Sequence, residues 1–302
     1  MASKWVVIAV SREGGPAGAR AMTAGITQIG GEVGAGLSLS GAPPFFAGGY
    51  FFTLPDNSAP EGLRNRLEAE LEADIAIMPE PMFGKKRLLI SDMDSTIIGQ
   101  ECIDELADAV GLKPQISEIT ERAMRGELDF EAALTSRVAM LRGLPLGELD
   151  RTLRERITLN PGARTLIATM KAHGAQTLLV SGGFTFFTSR VAQLAGFASH
   201  QGNTLIDDGA ALTGDVGQPI LGRAAKRTAL LEAAAALGAG PEDALALGDG
   251  ANDLDMIKAA GLGIAYHAKP VVAAEAAASI RHTDLTAALF FQGFTADQFV
   301  HG

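Results

Sequence analysis

The chain has a single cysteine, Cys102, among its 302 residues, so it cannot form an intramolecular disulfide and its fold must depend on a packed core. Aromatic residues make up only 6% of the sequence. No apolar run reaches the roughly 18 residues of a membrane span. Positive charge is also scarce, because 25 basic and 35 acidic residues give a formal net charge of −10. Without a basic tract we expect no nucleic-acid or membrane partner, and we expect a soluble, cytoplasmic protein.

The sequence also lacks two common nucleotide-binding fingerprints, the P-loop and the GxGxxG loop. Its five histidines are scattered, and no two of them are spaced at i, i+4. A zinc site built from His and Cys, or a cysteine nucleophile beside a histidine, is therefore poorly supported. A content of 47% hydrophobic and 20% charged residues is typical of globular proteins, and the length allows two domains.

The first eighty residues have the pattern of a small α+β domain. The predicted elements are a strand at 4–10, a helix at 17–29, strands at 33–39 and 50–54, a helix at 60–73 and a strand at 75–78. This β-α-β-β-α-β order is typical of the ferredoxin-like fold. Segment 79–86, with two prolines and Gly84, is the predicted linker, so we expect domains at 1–80 and 86–302.

The second domain alternates strands and helices, which predicts an α/β fold with a Rossmann-like, mainly parallel sheet. The predicted strands are 87–90, 176–180, 244–247 and 262–266, and a hairpin is expected around 207–209. One predicted helix begins at residue 184, and three others span residues 223–237, 253–259 and 270–277. Residues 101–157 show helical patterns without an intervening strand. We therefore expect a helical cap, about residues 98–160, over one end of the sheet.

Three of these strands end in polar loops that are rich in glycine. The loops are Asp92-x-Asp94, Ser181-Gly182-Gly183 and Gly248-Asp249-Gly-x-Asn252-Asp253. Ligands of such sheets bind beyond the carboxyl ends of the strands, where these carboxylates would converge. Their charge requires a cation, and oxygen ligands favour Mg²⁺. A metal among carboxylates suits a phosphate-bearing substrate, and a neighbouring aspartate can attack phosphorus.

Each motif taken alone has a simpler interpretation. An aspartate at a strand end is often a turn residue or a helix cap, and Ser-Gly-Gly is often only a turn. Lys226 alone would be a solvated lysine on a helix, and Cys102 a small buried hydrophobic residue. The order and spacing of the whole set favour a shared function.

Together these segments resemble the four motifs of haloacid dehalogenase-like (HAD) phosphatases. In order, they are DMDST at 92–96, Ser181-Gly182-Gly183 after its strand, Lys226 on a helix and GDGAND at 248–253. Longer segments, at 92–107, 125–145 and 180–187, are similar to the phosphoserine phosphatase subfamily. The resemblance covers about residues 86–290, and the first eighty residues resemble the ACT-like domain that precedes some members.

The resemblance implies Mg²⁺-dependent hydrolysis of O-phospho-L-serine to L-serine and phosphate, the last step of L-serine biosynthesis. Asp92 would be the nucleophile that forms a phosphoaspartyl intermediate, and Asp94 the general acid and then the general base. The Mg²⁺ ligands would be Asp92, the main-chain carbonyl of Asp94, Asp249 and Asp253. The groups on the phosphate would be Ser181, the Gly182 amide, Lys226 and Asn252. The resemblance leaves a homodimer open.

The resemblance also implies a site for the amino-acid part of the substrate. Glu101 would accept the ammonium group and Arg137 would bind the carboxylate through a bidentate fork. Apolar walls would come from Met124 and Phe130. Alternatively, Glu101 is only a favourable charge at a helix N-terminus, and Arg137 pairs with Glu131 or Glu127 of the cap.

Two other functions use the same residues. A phosphotransferase would pass the phosphoryl group to an acceptor such as homoserine. A regulatory protein would bind phosphate or an amino acid without turnover, but it would have no need for an acid such as Asp94 beside a nucleophile. The first eighty residues show no obvious amino-acid-binding signature, which leaves a structural or a regulatory role open for them under any of these functions.

Overall fold

The computed structural model describes residues 2–14, 16–55, 59–60, 62–124 and 127–302, with only the backbone for Pro16 and Met124. The first part of the chain is an antiparallel sheet with two helices on one face. Its elements are β1 (Ser3–Ser11), α1 (Pro16–Gln28), β2 (Glu32–Ala42), β3 (Phe45–Leu54), α2 (Leu63–Glu70) and β4 (Ala73–Pro79). The strand order β2-β3-β1-β4 confirms the predicted β-α-β-β-α-β arrangement.

Strand β3 begins at Phe45, five residues before the predicted strand at 50–54. Gly49 lies inside the strand, opposite Ile8 of β1. A Cβ atom at Gly49 would lie 2.0 Å from the main-chain oxygen of Val7, so the close approach of the two strands requires glycine. Glycine here allows strand pairing and does not end the strand.

The remaining elements belong to a larger α/β unit. In chain order they are β5 (Leu88–Ser91), α3 (Cys102–Asp108), α4 (Lys113–Met124), α5 (Phe130–Met140), α6 (Leu146–Arg156), α7 (Ala163–Ala172), β6 (Gln176–Phe184), α8 (Thr185–Ala195), β7 (Ser199–Asn203), β8 (Leu205–Asp207), β9 (Leu212–Val216), α9 (Arg223–Ala236), β10 (Ala244–Gly248), α10 (Leu254–Ala259), β11 (Leu262–Tyr266), α11 (Pro270–Glu275), β12 (Ala278–Ile280) and α12 (Ala287–Phe290). Short 3₁₀ helices lie at Glu80–Met82, Pro241–Asp243, Ala251–Asp253 and Ala296–Gln298. No helix in these described ranges combines the length and the hydrophobicity that a transmembrane segment needs.

Six parallel strands form the core sheet in the order β12-β11-β10-β5-β6-β7. The chain moves outward from β5 through β6 to β7, and then returns to place β10 on the other side of β5. The order of strands therefore reverses between β5 and β10, where ligands of such sheets bind at the carboxyl ends. The predicted parallel sheet is confirmed, although β7, β12 and α7 were not predicted.

The four helices α3 to α6 form the cap, between β5 and α7 in sequence. Its two connecting segments run side by side, because Ile98 and Leu159 form an antiparallel bridge. The side chains of Gln100 and Thr158 bond each other at 2.9 Å in the same stem. The hairpin of β8 and β9 is where it was predicted. It also contacts the cap, since β9 packs on α5, which the sequence did not predict.

The antiparallel and parallel strands join into one ten-stranded sheet, because Ala76 of β4 pairs with Ala278 of β12. The buried Asp74 carboxylate accepts hydrogen bonds from the main-chain nitrogens of residues 281–283 and from the Thr283 hydroxyl. Arg64 of α2 donates to the main-chain oxygens at the end of α11. The division into domains at 1–80 and 86–302 remains a prediction, and the described sheet crosses that boundary.

Candidate active site

Three buried aspartates lie together where β5 and β10 end. Asp92 follows β5, while Asp249 and Asp253 belong to the loop after β10. Their side chains offer carboxylate oxygens that all lie within 4.8 Å of one another. The adjacency of β5 and β10 in the sheet brings these distant segments together, as the sequence predicted.

Lys226, in the first turn of α9, lies beneath this cluster. Its Nζ atom lies 2.8 Å from Asp92 Oδ1 and 2.6 Å from Asp253 Oδ1, and the side chain is fully buried. Burial alone would lower the pKa of Lys226, but Asp253 and Asp92 more than offset that effect and raise it. Lys226 is therefore a permanent positive charge within the site and not a solvated surface lysine.

Asp253 holds the loop that carries Asp249. Its Oδ2 atom accepts hydrogen bonds from the main-chain nitrogens of Asp249 and Gly250, at 3.2 and 3.1 Å. A Cβ atom at Gly248 would lie 2.4 Å from Asp253 Cγ, so only glycine leaves room for this carboxylate. The GDGAND segment thus folds around the carboxylate of its own Asp253.

The charges in the cluster do not balance. Burial raises the pKa of Asp92 well above its usual value, and Asp253 raises it further. Burial, again with Asp253, raises the pKa of Asp249 to about 7. Repulsion adds to burial because, among the described residues, the three carboxylates share the single ammonium of Lys226. A divalent cation would restore the balance, and an all-oxygen donor set fits a hard cation.

Asp94 lies apart from that cluster and faces the adjoining cavity. Its Oδ1 atom accepts a hydrogen bond from the Cys102 main-chain nitrogen at 2.9 Å, and its Oδ2 atom accepts one from the Ser181 hydroxyl at 3.3 Å. Burial raises the pKa of Asp94 above its usual value. A carboxyl group with a raised pKa, held at two points, is suited to donate a proton.

The Ser181-Gly182-Gly183 segment forms one wall of the cavity. The main-chain nitrogen of Gly183 donates to Ser181 Oγ at 2.8 Å. Asn203, at the end of β7, donates from Nδ2 to the Gly182 oxygen at 2.8 Å. A Cβ atom at Gly182 would lie 2.7 Å from Phe130 Cζ, so the cap aromatic ring rests directly on this wall. No sequence motif pointed to a role for Asn203.

Glu101 lies at the entrance to the cap, one residue before α3. It occupies the N-cap position of that helix, but its side chain makes no capping hydrogen bond there. Instead, Glu101 Oε1 accepts a hydrogen bond from Ser95 Oγ at 2.6 Å. Burial raises the pKa of Glu101 well above its usual value, and Asp94 adds to the effect. A cationic ligand group would relieve this penalty.

Arg137 of α5 faces the cavity from the cap. Its Nη1 atom donates to Thr120 Oγ1 at 2.8 Å, and its Nε atom donates to the Ala133 oxygen at 3.2 Å. In the described part of the chain no carboxylate lies within ion-pair distance of Arg137, so the alternative pairing with Glu131 or Glu127 is not observed.

One cavity brings most of the predicted residues together. Its lining includes Asp92, Asp94, Glu101, Phe130, Arg137, Ser181, Gly182, Asp249 and Asn252. Lys226 and Asp253 lie behind this lining. The side chain of Met124, the predicted second apolar wall, lies outside the described residues. Thr120 also lines the cavity, although the sequence motifs assigned it no role.

Comparison with known proteins gives a consistent result. Residues 86–261 match the family model of haloacid dehalogenase-like hydrolases. A phosphoserine phosphatase of Albidiferax ferrireducens is 50% identical over 191 residues, which are 62% of this chain and 81% of that protein.

Two solved structures extend the comparison. A HAD family hydrolase of Salmonella enterica serovar Typhi has a TM-score of 0.80 and 31% identity, and the match covers 95% of this chain and 98% of that one. A phosphoserine phosphatase solved as a phospho-aspartyl intermediate analogue has a TM-score of 0.65 and 39% identity, covering 68% of this chain and 99% of that one. The first similarity therefore includes the antiparallel strands, whereas the second structure matches only about two thirds of the chain.

Proposed function

The chain belongs to the haloacid dehalogenase-like hydrolases, and from this premise we propose that it hydrolyses O-phospho-L-serine to L-serine and phosphate. The observation that carries the proposal is that two chemically different groups of residues line one cavity. One group comprises the aspartates and the Ser-Gly-Gly wall, and the other comprises Glu101 and Arg137. A phosphate ester that also carries an ammonium and a carboxylate group complements both groups.

The nucleophile in this proposal is Asp92, whose carboxylate attacks phosphorus and forms a phosphoaspartyl intermediate. Lys226, 2.8 Å away, favours the ionised form of this carboxylate and so opposes the effect of burial. The Ser181 hydroxyl and the Gly182 amide bind phosphoryl oxygens and stabilise charge in the transition state. Asn252, also in the cavity lining, orients the phosphate.

Proton transfer falls to Asp94. It donates a proton to the serine oxygen as the ester bond breaks, and then accepts one from the water that attacks the phosphoaspartate. Its raised pKa suits the first step, because burial favours the protonated form that donates. The hydrogen bonds from Cys102 and Ser181 hold the carboxyl group in place for both steps.

We further propose Mg²⁺ as the ion of the aspartate cluster. Asp92, Asp249 and the main-chain carbonyl of Asp94 would hold it, with Asp253 in support through the loop that it shapes. When bound, it supplies charge compensation for the phosphoryl oxygens and for the carboxylates themselves. The excess of buried carboxylates over ammonium groups supports this assignment.

Phosphate release from a panel of phosphomonoesters tests the function. We expect O-phospho-L-serine to be preferred over O-phosphoethanolamine, which lacks only the carboxylate, and over p-nitrophenyl phosphate. Activity should depend on Mg²⁺ and disappear with a chelator. Homoserine added as an acceptor distinguishes hydrolysis from phosphoryl transfer, because a phosphotransferase would form phosphohomoserine. No turnover of O-phospho-L-serine with Mg²⁺ present would refute the proposal.

A further inference from the structure

Three cap helices meet at a chain of polar side chains behind Arg137. The Arg137 guanidinium donates to Thr120 Oγ1 at 2.8 Å. Thr120 Oγ1 in turn lies 3.1 Å from Asp104 Oδ1 and 3.0 Å from the Ile116 main-chain oxygen. The other oxygen of Asp104 accepts a hydrogen bond from Ser117 Oγ at 2.7 Å. Thr120 and Arg137 are 4% and 6% exposed, so water competes little for these bonds.

The direction of each hydrogen bond follows from the chemistry of the groups. A guanidinium only donates, so Thr120 accepts from Arg137 and directs its own proton to Asp104 or to the Ile116 oxygen. The Nε atom of Arg137 is also engaged, by the Ala133 oxygen. Among the described residues the Nη2 atom has no hydrogen-bond partner, and Arg137 lines the cavity. The Nε and Nη1 atoms are thus held by the cap, while the N–H groups of Nη2 are available to a ligand.

We propose that Thr120 is a positioning residue that orients the Arg137 guanidinium for the substrate carboxylate and so contributes to substrate selectivity. A free arginine side chain loses much rotamer freedom when it binds in one orientation. The Thr120 hydroxyl, itself oriented by Asp104 or by the Ile116 oxygen, imposes that orientation before the substrate binds. The inference rests on the proposed function, because it concerns how the same cavity selects a carboxylate.

Thr120→Val tests the proposal, because it removes the hydroxyl and nearly keeps the shape. The KM for O-phospho-L-serine should rise about tenfold with kcat changed by less than about threefold, since one hydrogen bond to a charged group is lost. For p-nitrophenyl phosphate, kcat/KM should stay within about twofold. Thr120→Ser should restore most of the KM. The matched control is Ser117→Ala, which removes the other hydroxyl bound to Asp104 and should leave both substrates unaffected.

A double-mutant cycle separates an effect through Arg137 from a direct contact between Thr120 and the substrate. In an Arg137→Ala background, Thr120→Val should cause no further loss with O-phospho-L-serine. A further loss as large as in the wild-type background would overturn the proposal. Equal losses on both substrates in the single variant, or no loss at all, would overturn it as well.

A second variant covers the case in which the valine variant does not fold. Thr120→Ala replaces Thr120→Val if circular dichroism shows that the valine variant is unfolded, and the serine variant again serves as the rescue.

The proposed function and the role of Thr120 are refuted by different results. Wild-type protein that does not hydrolyse O-phospho-L-serine refutes the proposed function. Wild-type protein that does, together with a Thr120→Val variant of unchanged KM, refutes only the role of Thr120.

Discussion

The Nζ atom of Lys226 lies 2.8 Å from Oδ1 of Asp92, with both side chains buried. The two residues come from α9 and from the loop after β5, which are far apart in sequence. Burial and Asp253 raise the pKa of Asp92, whereas Lys226 lowers it. Lys226 therefore favours the ionised, nucleophilic form of Asp92 against the opposing effects of burial and of Asp253.

Replacing Lys226 by methionine should lower kcat by about 10²–10⁴, because it removes a charge that stabilises both the nucleophile and the transition state. Phosphate release from O-phospho-L-serine measures the effect. Lys258→Met is the matched control, since this half-exposed lysine of α10 pairs with Glu275 away from the cavity. A Lys226→Met protein with near wild-type kcat would contradict the role that we assign to the pair.

Asp92→Asn should abolish turnover and preserve the fold. The amide is nearly isosteric with the carboxylate but is not a nucleophile toward phosphorus. Phosphate release measures the loss, circular dichroism checks the fold, and mass spectrometry excludes deamidation back to aspartate. Substantial hydrolysis by a verified asparagine variant would rule out the covalent mechanism.

Mg²⁺ should raise the melting temperature of the wild-type protein, because it relieves repulsion among buried carboxylates. Asp249→Asn removes one of these charges. We expect the variant to be at least as stable as the wild type without metal, and to gain less from Mg²⁺. Thermal unfolding with Mg²⁺ and with a chelator measures both effects. An equal Mg²⁺-induced rise in the two proteins would show that Asp249 does not bind the ion.

The same carboxylate predicts a pH effect on the metal-free protein. The pKa of Asp249 is about 7 in the folded protein against an ordinary value of 3.8, so the folded state binds a proton that the unfolded state releases. The stability contributed by this proton is therefore present below about pH 4 and is lost as the pH rises to about 7. Comparing the pH dependence of unfolding in wild-type and Asp249→Asn protein isolates this contribution. Identical profiles for the two proteins would contradict it.

Asp74 should matter for stability and not for chemistry. Its buried carboxylate accepts hydrogen bonds from three main-chain nitrogens and the Thr283 hydroxyl, which join the antiparallel strands to the core. Asp74→Ala leaves these donors unpaired and should lower the free energy of unfolding by about 2–4 kcal/mol. Below the melting temperature, kcat/KM should be unchanged. The exposed Glu72, changed to alanine, is the control, and equal stability of the two variants would contradict the prediction.

The elements that could be predicted from the sequence are those with a strong local pattern of hydrophobic and turn residues. The strands at 244–248 and 262–266 are short and wholly apolar, and each lies next to a clear turn. Strand β7 was missed because its sequence, SHQGN, is polar and is held at the sheet edge by pairing with β6. Asp74 links β4 to the segment after β12, and its four donors lie about two hundred residues away in sequence. No local pattern reveals such a contact.

The residues of the site also fall into those that the sequence predicted and those that it did not. Residues in the strand-end loops were found because the topology of a parallel sheet places those loops together. Thr120 and Asn203 were missed, since each acts on another site residue through a single hydrogen bond that depends on tertiary packing. Residues that position others carry ordinary side chains in ordinary helices and strands, so only the folded structure identifies them.

The selectivity of Arg137 gives the sharpest test of the proposed substrate. A charge-assisted bidentate contact beneath the cap contributes about 2–4 kcal/mol, so Arg137→Ala should lower kcat/KM for O-phospho-L-serine by roughly thirty-fold to a thousand-fold. The loss for p-nitrophenyl phosphate should be far smaller, because it has no carboxylate. Arg137→Lys should recover only part of the activity, since an ammonium group keeps the charge and loses the planar fork.

The competing explanation is that Arg137 only holds the cap together. Its bonds to Thr120 and to the Ala133 oxygen join α5 to α4 and make that explanation concrete. In that case the cap of the variant would close poorly over any substrate, and kcat/KM would fall by the same factor for both substrates. The ratio of the two kcat/KM values therefore decides between the explanations. A ratio unchanged from wild type would remove the carboxylate contact from the proposal while leaving the phosphatase chemistry of Asp92 and Asp94 in place.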